Sequence, residues 1–176
     1  GVYGAYVNEI KYITISTLGA DQDFGDSTYN SQFASSHGGS RTRAVWTGGY
    51  TPVGRTNIID HVTFSSTGNA VDFGDLVGRR ATQGQSGISN SVRGWFMGGQ
   101  RPDVDNDMIE SIVVATTGNA IDWGSNIVSA ATNGCPWMST ATHGIGGGAS
   151  SNSVGSIAKF IFSSHGNTVK WGELSA

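Results

Sequence analysis

Ile59-Asp60-His61-Val62-Thr63-Phe64-Ser65-Ser66-Thr67-Gly68-Asn69-Ala70-Val71-Asp72-Phe73-Gly74-Asp75 reads as a strand, a tight turn and a second strand. Nearly the same words return at 109–125 and 157–173, and in worn form at 10–26. The glycine closing each unit is Gly25, Gly74, Gly124 and Gly172, at intervals of 49 (74−25), 50 (124−74) and 48 (172−124) residues. A fixed period of this length is the signature of a repeat architecture.

Within each unit the apolar period is two. Val62 and Phe64 point one way, as do Ile13 with Ile15, Ile112 with Val114, and Phe160 with Phe162. β-branched residues fill the places between, and three-to-four spacing is absent, so these are strands. The first isoleucine of each unit is in the opposite phase, which implies a bulge or a contact between units. Gly19, Gly68, Gly118 and Gly166 stand between the two strands, and Asn follows three of them. Glycine holds the positive φ of a tight hairpin, and Asn tolerates it better than most residues.

The second strand ends on an aromatic and a glycine: Phe24-Gly25, Phe73-Gly74, Trp123-Gly124 and Trp171-Gly172. A large ring at one fixed place per unit fills the space between stacked sheets, so these rings are expected in the core. Upstream, Ala44-Val45-Trp46-Thr47-Gly48-Gly49, Gly94-Trp95-Phe96-Met97-Gly98-Gly99 and Gly144-Ile145-Gly146-Gly147-Gly148 form another strand, with a truncated copy at 1–5. Its glycines let backbones approach closely near a ring axis. Some twenty residues before each such strand leave room for one more, giving four strands per unit. The units are approximately 1–26, 27–76, 77–125 and 126–176.

The Gly-Gly strand end, the hydrophobic strand about ten residues on and the aromatic closing the next strand together resemble the kelch family. The resemblance implies an all-β fold: a β-propeller of kelch-like four-stranded blades, about four repeats, incomplete or closed with another chain. The arginine that often follows the aromatic in kelch repeats occurs in similar position only at Arg79 or Arg80. The wording Ser-Thr-Gly-Asn-Ala-x-Asp-Phe-Gly-Asp also resembles kelch-like repeats in structural proteins of tailed bacteriophages, marine ones especially. That likeness implies a virion or extracellular location.

Composition narrows the classes. The 27 glycines are about twice average usage, and the 13% of charged residues is about half of it. Low charge with abundant Ser, Thr and Asn fits extracellular or virion proteins. Disorder fits poorly, given 10% aromatics and a regular period. A formal net charge of −3 without a basic run disfavours nucleic acid. No stretch is long and apolar enough to span a bilayer, and no basic-then-apolar leader is visible. Cys135 is the lone cysteine, so no disulfide forms within the chain, and it reads as a buried bystander in a strand.

The search for chemistry finds no catalytic residues, no metal site and no cofactor. His37, His61, His143 and His165 lack ligand spacing, and His143 stands where Arg43 and Arg93 stand, a polar rim position. Asp23 with Asp26 and Asp72 with Asp75 could hold calcium. Lys170, however, occupies a would-be ligand place in the fourth unit, so these acids read as turn formers. No one serine is singled out for a Ser/His/Asp set. Asp103, Asp105 and Asp107 share one loop rather than two sides of a cleft.

Two classes remain. One is a non-enzymatic structural or adhesive module on a virion surface or tail fibre, in contact with other structural chains, with itself or with a host surface. The other is a carbohydrate-binding lectin or glycan-active propeller enzyme. For either, the partner surface is placed on the loops after the Gly-Gly strands, at Tyr50, Arg55, Gln100, Arg101, Asp103 and Asp105, because loops on a rigid scaffold vary and bind. The strand before Gly-Gly has room only three times, which leaves a sheet edge open. A four-bladed ring with one thin blade, a ring shared between chains, or a piece of a longer polypeptide would follow. The last two are favoured together, because an unpaired edge and a start other than Met both point to missing material. The chain is therefore expected to self-associate or to come from a gene encoding further repeats.

Overall fold

The computed structural model describes residues 5–32, 36–81, 87–99, 107–127, 136–147 and 155–174. Among them are strands but no helix, and every ladder is antiparallel. The first repeat gives β1 (Val7–Tyr12) and β2 (Gln22–Ser31), paired together. The second gives β3 (Ser36–Gly39), β4 (Arg43–Thr47), β5 (Tyr50–Thr51), β6 (Gly54–Thr63) and β7 (Val71–Arg80), with β3-β4-β6-β7 as its sheet. The third is β8 (Gly87–Ser89), β9 (Arg93–Met97), β10 (Met108–Val113) and β11 (Ile121–Ser125). The fourth is β12 (Trp137–Ser139), β13 (His143–Gly147), β14 (Ser156–Ile161) and β15 (Val169–Glu173). The last three repeats are thus four-stranded meanders, and the extra strand expected before each Gly-Gly strand is β3, β8 or β12. The copy expected at 1–5 lies, but for Ala5, outside the described residues.

One expectation is corrected. Residues 50–57 are not a loop: β5 folds back on the start of β6, pairing Tyr50 with Arg55 and Thr51 with Gly54. The Thr51 hydroxyl donates to the Gly54 carbonyl at 2.8 Å, and Gly54 takes φ +121°. Tyr50 also exchanges backbone hydrogen bonds with Gln32 at 2.7 and 2.8 Å, tying this hairpin to the first repeat.

The out-of-phase isoleucine marks a bulge in all four repeats. Ile59 faces Gly74 and Asp60 faces Asp72, so Phe73 is the extra residue. Phe24, Trp123 and Trp171 are extra in the same way. An unpaired residue in a ladder bends the strand and frees its backbone groups. Three of these bulges carry a joint to the next repeat. The Phe24 carbonyl accepts from Gly68 N at 2.7 Å, and the Asp26 carbonyl accepts from Ala70 N at 2.7 Å. Phe73 and Asp75 receive Gly118 and Ala120 at 2.7 and 2.8 Å; Trp123 and Ser125 receive Gly166 and Thr168 at 2.9 and 2.8 Å.

The asparagine after the turn glycine supplies the third bond of each joint. Asn69 Oδ1 accepts from Asp26 N at 3.1 Å, Asn119 Oδ1 from Asp75 N at 3.0 Å and Asn167 Oδ1 from Ser125 N at 2.9 Å. This corrects the reading of Asn as a residue tolerant of positive φ. Ser91 alone among the described non-glycine residues takes a positive φ. The glycines themselves do need it: Gly68 and Gly118 sit at +153° and +154°, Gly25 and Gly74 at +146° and +144°.

The core lies between sheets. Phe73 and Leu76 of the second repeat pack with Phe96, Ile112 and Val114 of the third. Trp95 and Trp123 of the third pack with Phe160 and Phe162 of the fourth. Trp95 stacks on Phe162 with centroids 3.9 Å apart.

The two glycines of a joint are expected to respond differently to substitution. A Cβ at Gly68 meets nothing within 4 Å, so Gly68→Ala costs backbone strain alone, about 1 kcal/mol. A Cβ at Gly74 would lie 2.5 Å from the Gly118 carbonyl oxygen, so Gly74→Ala adds a wedge in the joint and costs on the order of 3 kcal/mol. Chemical denaturation of both variants checks the order; equal losses would deny the joint its close approach.

Candidate interaction surface

The repeated acids are spent on the scaffold. Asp23, Asp72 and Asp122 each accept, through Oδ1, the backbone N–H of the glycine two residues on, at 3.1, 3.0 and 2.9 Å. That is turn chemistry, and it fixes the bulge geometry. No group of three or more His, Cys, Asp or Glu placed to hold a metal occurs among the described residues.

A second set of acids crosses the joints. Asp60 Oδ2 accepts from Thr28 N at 2.8 Å, and Asp60 Oδ1 from the Thr28 hydroxyl at 2.7 Å. Burial pushes the Asp60 carboxyl above its ordinary value, against the pull of the Thr28 bonds. Its contribution to folding is therefore full below the ordinary carboxylate range and declines as pH rises through the raised value. One repeat later Glu110 Oε1 accepts from Val77 N at 2.6 Å, and its Oε2 pairs with Arg80 Nη2. Arg80 and Glu110 are both fully buried. This pair cannot reach a solvent-borne substrate; it binds the third repeat to the second. In the fourth repeat Ala158 takes the acid's place.

His165 and Arg43 also serve the joints, whereas His61 and Arg93 pack within their own repeats. His165 stacks on Trp123 with centroids 4.1 Å apart, and His61 meets Phe73 edge to face at 5.5 Å. Arg43 Nη1 donates to the Val114 and Ala115 carbonyls at 3.0 Å each, so it ties the second repeat to the third rather than standing on a free polar rim. Arg93 lies over the Trp123 ring at 5.1 Å.

Of the residues expected to meet a partner, Tyr50 and Arg55 are brought together. They face each other across the β5–β6 hairpin, with the guanidinium 5.4 Å from the ring centroid. Tyr50 is exposed. Gln100, Arg101, Asp103 and Asp105, with Cys135, lie outside the described residues. Sequence reasoning missed a further surface. Trp171 is 56% exposed, whereas Trp123 at the same repeat position is 4% exposed beneath the following repeat. The expectation that all four aromatics are core therefore fails at Trp171, which none of the described repeats covers.

Two sets of variants test these assignments. Trp123→Ala is expected to cost about 3–5 kcal/mol by emptying a packed site, and Trp171→Ala less than about 0.5 kcal/mol, as for other surface changes. Glu110→Ala strands Arg80 as a buried charge and is expected to cost about 3–5 kcal/mol. Adding Arg80→Met should recover part of that loss, and a strictly additive double variant would show that the pair is uncoupled. No protein-family model matches the chain, and no curated protein matches it.

Proposed function

We propose that this chain is a non-enzymatic structural and adhesive module, built as kelch-like propeller blades and carried on a virion surface or tail fibre. In this role it holds other structural chains or a host surface. The observation that carries the reading is where its polar chemistry goes. Asp23, Asp72 and Asp122 bond their own turns, and Asp60 and Glu110 bond the neighbouring repeat. Such a frame leaves its connections to vary, and one connection of the second repeat that faces solvent is the Tyr50–Arg55 hairpin, at Tyr50, Pro52 and Val53.

An exposed aromatic ring beside a guanidinium also suits a saccharide, by stacking on one group and hydrogen bonding to the other. That feature favours glycan binding as the second reading. A glycan array, run beside a panel of surface proteins, separates the two. The expected result is binding to a protein partner without turnover, weakened about tenfold or more, roughly 1.4 kcal/mol, by Tyr50→Ala with Arg55→Ala. Saccharide binding that the same pair of changes abolishes would select the lectin. Release of reducing ends from a bound glycan would overturn the non-enzymatic reading.

A further inference from the structure

The molecule displays both halves of the joint that it makes three times internally, and among the described residues one of each has no mate. The donor half is the turn glycine with its flanking apolar side chains. In the third and fourth repeats the residue four before that glycine is buried against the preceding repeat, Val114 at 1% and Phe162 at 7% exposure, while Phe64 of the second, joined to the two-stranded first repeat, is 52% exposed. In the first repeat that residue is Ile15, 95% exposed, and Leu18, which takes the place of the Trp123-stacking His165, is fully exposed. The acceptor half is the aromatic bulge. It is covered by the following repeat at Phe73 and Trp123, whereas Trp171 is 56% exposed, with its own repeat's Lys159 Nζ near the ring, 5.9 Å from the centroid.

The glycines carry the point further. At each joint both partners hold positive φ: Gly25 with Gly68, Gly74 with Gly118 and Gly124 with Gly166. Gly19 and Gly172, the same two positions without a mate, do not adopt it. A Cβ at Gly19 would meet nothing within 4 Å, and one at Gly172 only Ile157 Cδ1 at 3.8 Å. Neither position needs glycine in the conformation seen. Both would need it in a joint, where the acceptor glycine lies against the carbonyl of the donor.

We infer that the turn Leu18-Gly19-Ala20 of one copy of this chain seats on the Trp171-Gly172-Glu173 corner of a second copy, head to tail. Gly19 N donates to the Trp171 carbonyl and Asp21 N to the Glu173 carbonyl, while Ile15 and Leu18 cover the Trp171 ring. This stands on the joints alone and does not depend on the function proposed above. The contact is weaker than the internal joints. Ala20 lacks the amide oxygen that Asn69, Asn119 and Asn167 supply, and Lys11 stands where Asp60 and Glu110 bond across. Association is therefore reversible, and because the two faces differ it extends beyond a dimer, into a ring or an open string.

Sedimentation velocity of the 176-residue chain over a wide concentration range is expected to show mass rising above the monomer. Gly172→Ala and Leu18→Asp should each weaken association at least tenfold while the melting temperature of the monomer stays unchanged or rises, since both residues are free there. Mixing the two variants should restore a dimer and nothing larger, because each keeps one sound half. In a Cys135→Ser background, Leu18→Cys on one chain and Trp171→Cys on another should cross-link under oxidation. A chain that stays monomeric leaves the corner to some other occupant and overturns the inference. So does a double-cysteine chain that closes only on itself, which would mean that the repeats complete their own ring, or association indifferent to Gly172→Ala and Leu18→Asp.

Discussion

Everything in this molecule hangs on one carbonyl per repeat. An antiparallel ladder normally consumes its backbone groups, leaving a sheet nothing with which to hold a neighbour except its side chains. Here the extra aromatic of the bulge steps out of register, and its carbonyl turns to the next repeat, where a glycine N–H meets it. The same step places the aromatic ring between the sheets. Hydrogen bond and hydrophobic contact are thus two consequences of one inserted residue. A backbone bond of this kind is worth about 1 kcal/mol net, and burying the ring is worth several times that, so the ring supplies the energy and the carbonyl the register. The marker glycine follows because a side chain there would strike the docked turn.

Polar side chains then make the joints unequal. Between the first and second repeats Asp60 caps Thr28; between the second and third Glu110 caps Val77 and pairs with Arg80. Between the third and fourth Ala158 offers no acid, and the stacking of Trp95 on Phe162 and of His165 on Trp123 dominates. A buried ion pair is a weak source of stability but a costly one to mispair. An Arg80 set beside Ala158 would be a stranded charge. The acids therefore favour one order of repeats over shuffled ones, a selection that the near-identical backbone joints could not make.

The period, the strand pattern and the bulge were legible because each is local. The bulge showed itself as a phase break at Ile10, Ile59, Ile109 and Ile157, which left only a bulge or a contact between units to choose from. The purpose of Asn69, Asn119 and Asn167 was not legible, since each bonds a backbone amide 42 to 44 residues away. Nothing within a turn distinguishes that use from tolerance of an unusual φ. The β5–β6 hairpin was hidden by Pro52 and Gly54, which mark a turn but not the two-residue pairs on either side of it. The exposure of Trp171 was hidden for the opposite reason. Its local words match those of Trp123, and only the neighbour differs. Of the candidate site, the sequence placed Tyr50 and Arg55 near each other but not that they face across strands.

Because each repeat leans chiefly on the one beside it, stability is distributed as in a linear array, as a sum of unit and joint terms. The two middle repeats each have a joint on both sides, whereas the first has a single joint and, among the described residues, two strands. Its Ile13, whose counterparts Val62, Ile112 and Phe160 are buried, is exposed. Lys11 takes Glu9 and Asp21 as partners on the surface, at 3.2 and 3.3 Å, instead of reaching across a joint. Exposed pairs of that kind contribute little. They do set charge beside the exposed apolar residues of this repeat, which discourages indiscriminate pairing with other strands. The first repeat thus gives up burial that the middle ones have, and keeps in Ile15, Leu18 and Gly19 the apolar and conformational features that are useful only against another repeat.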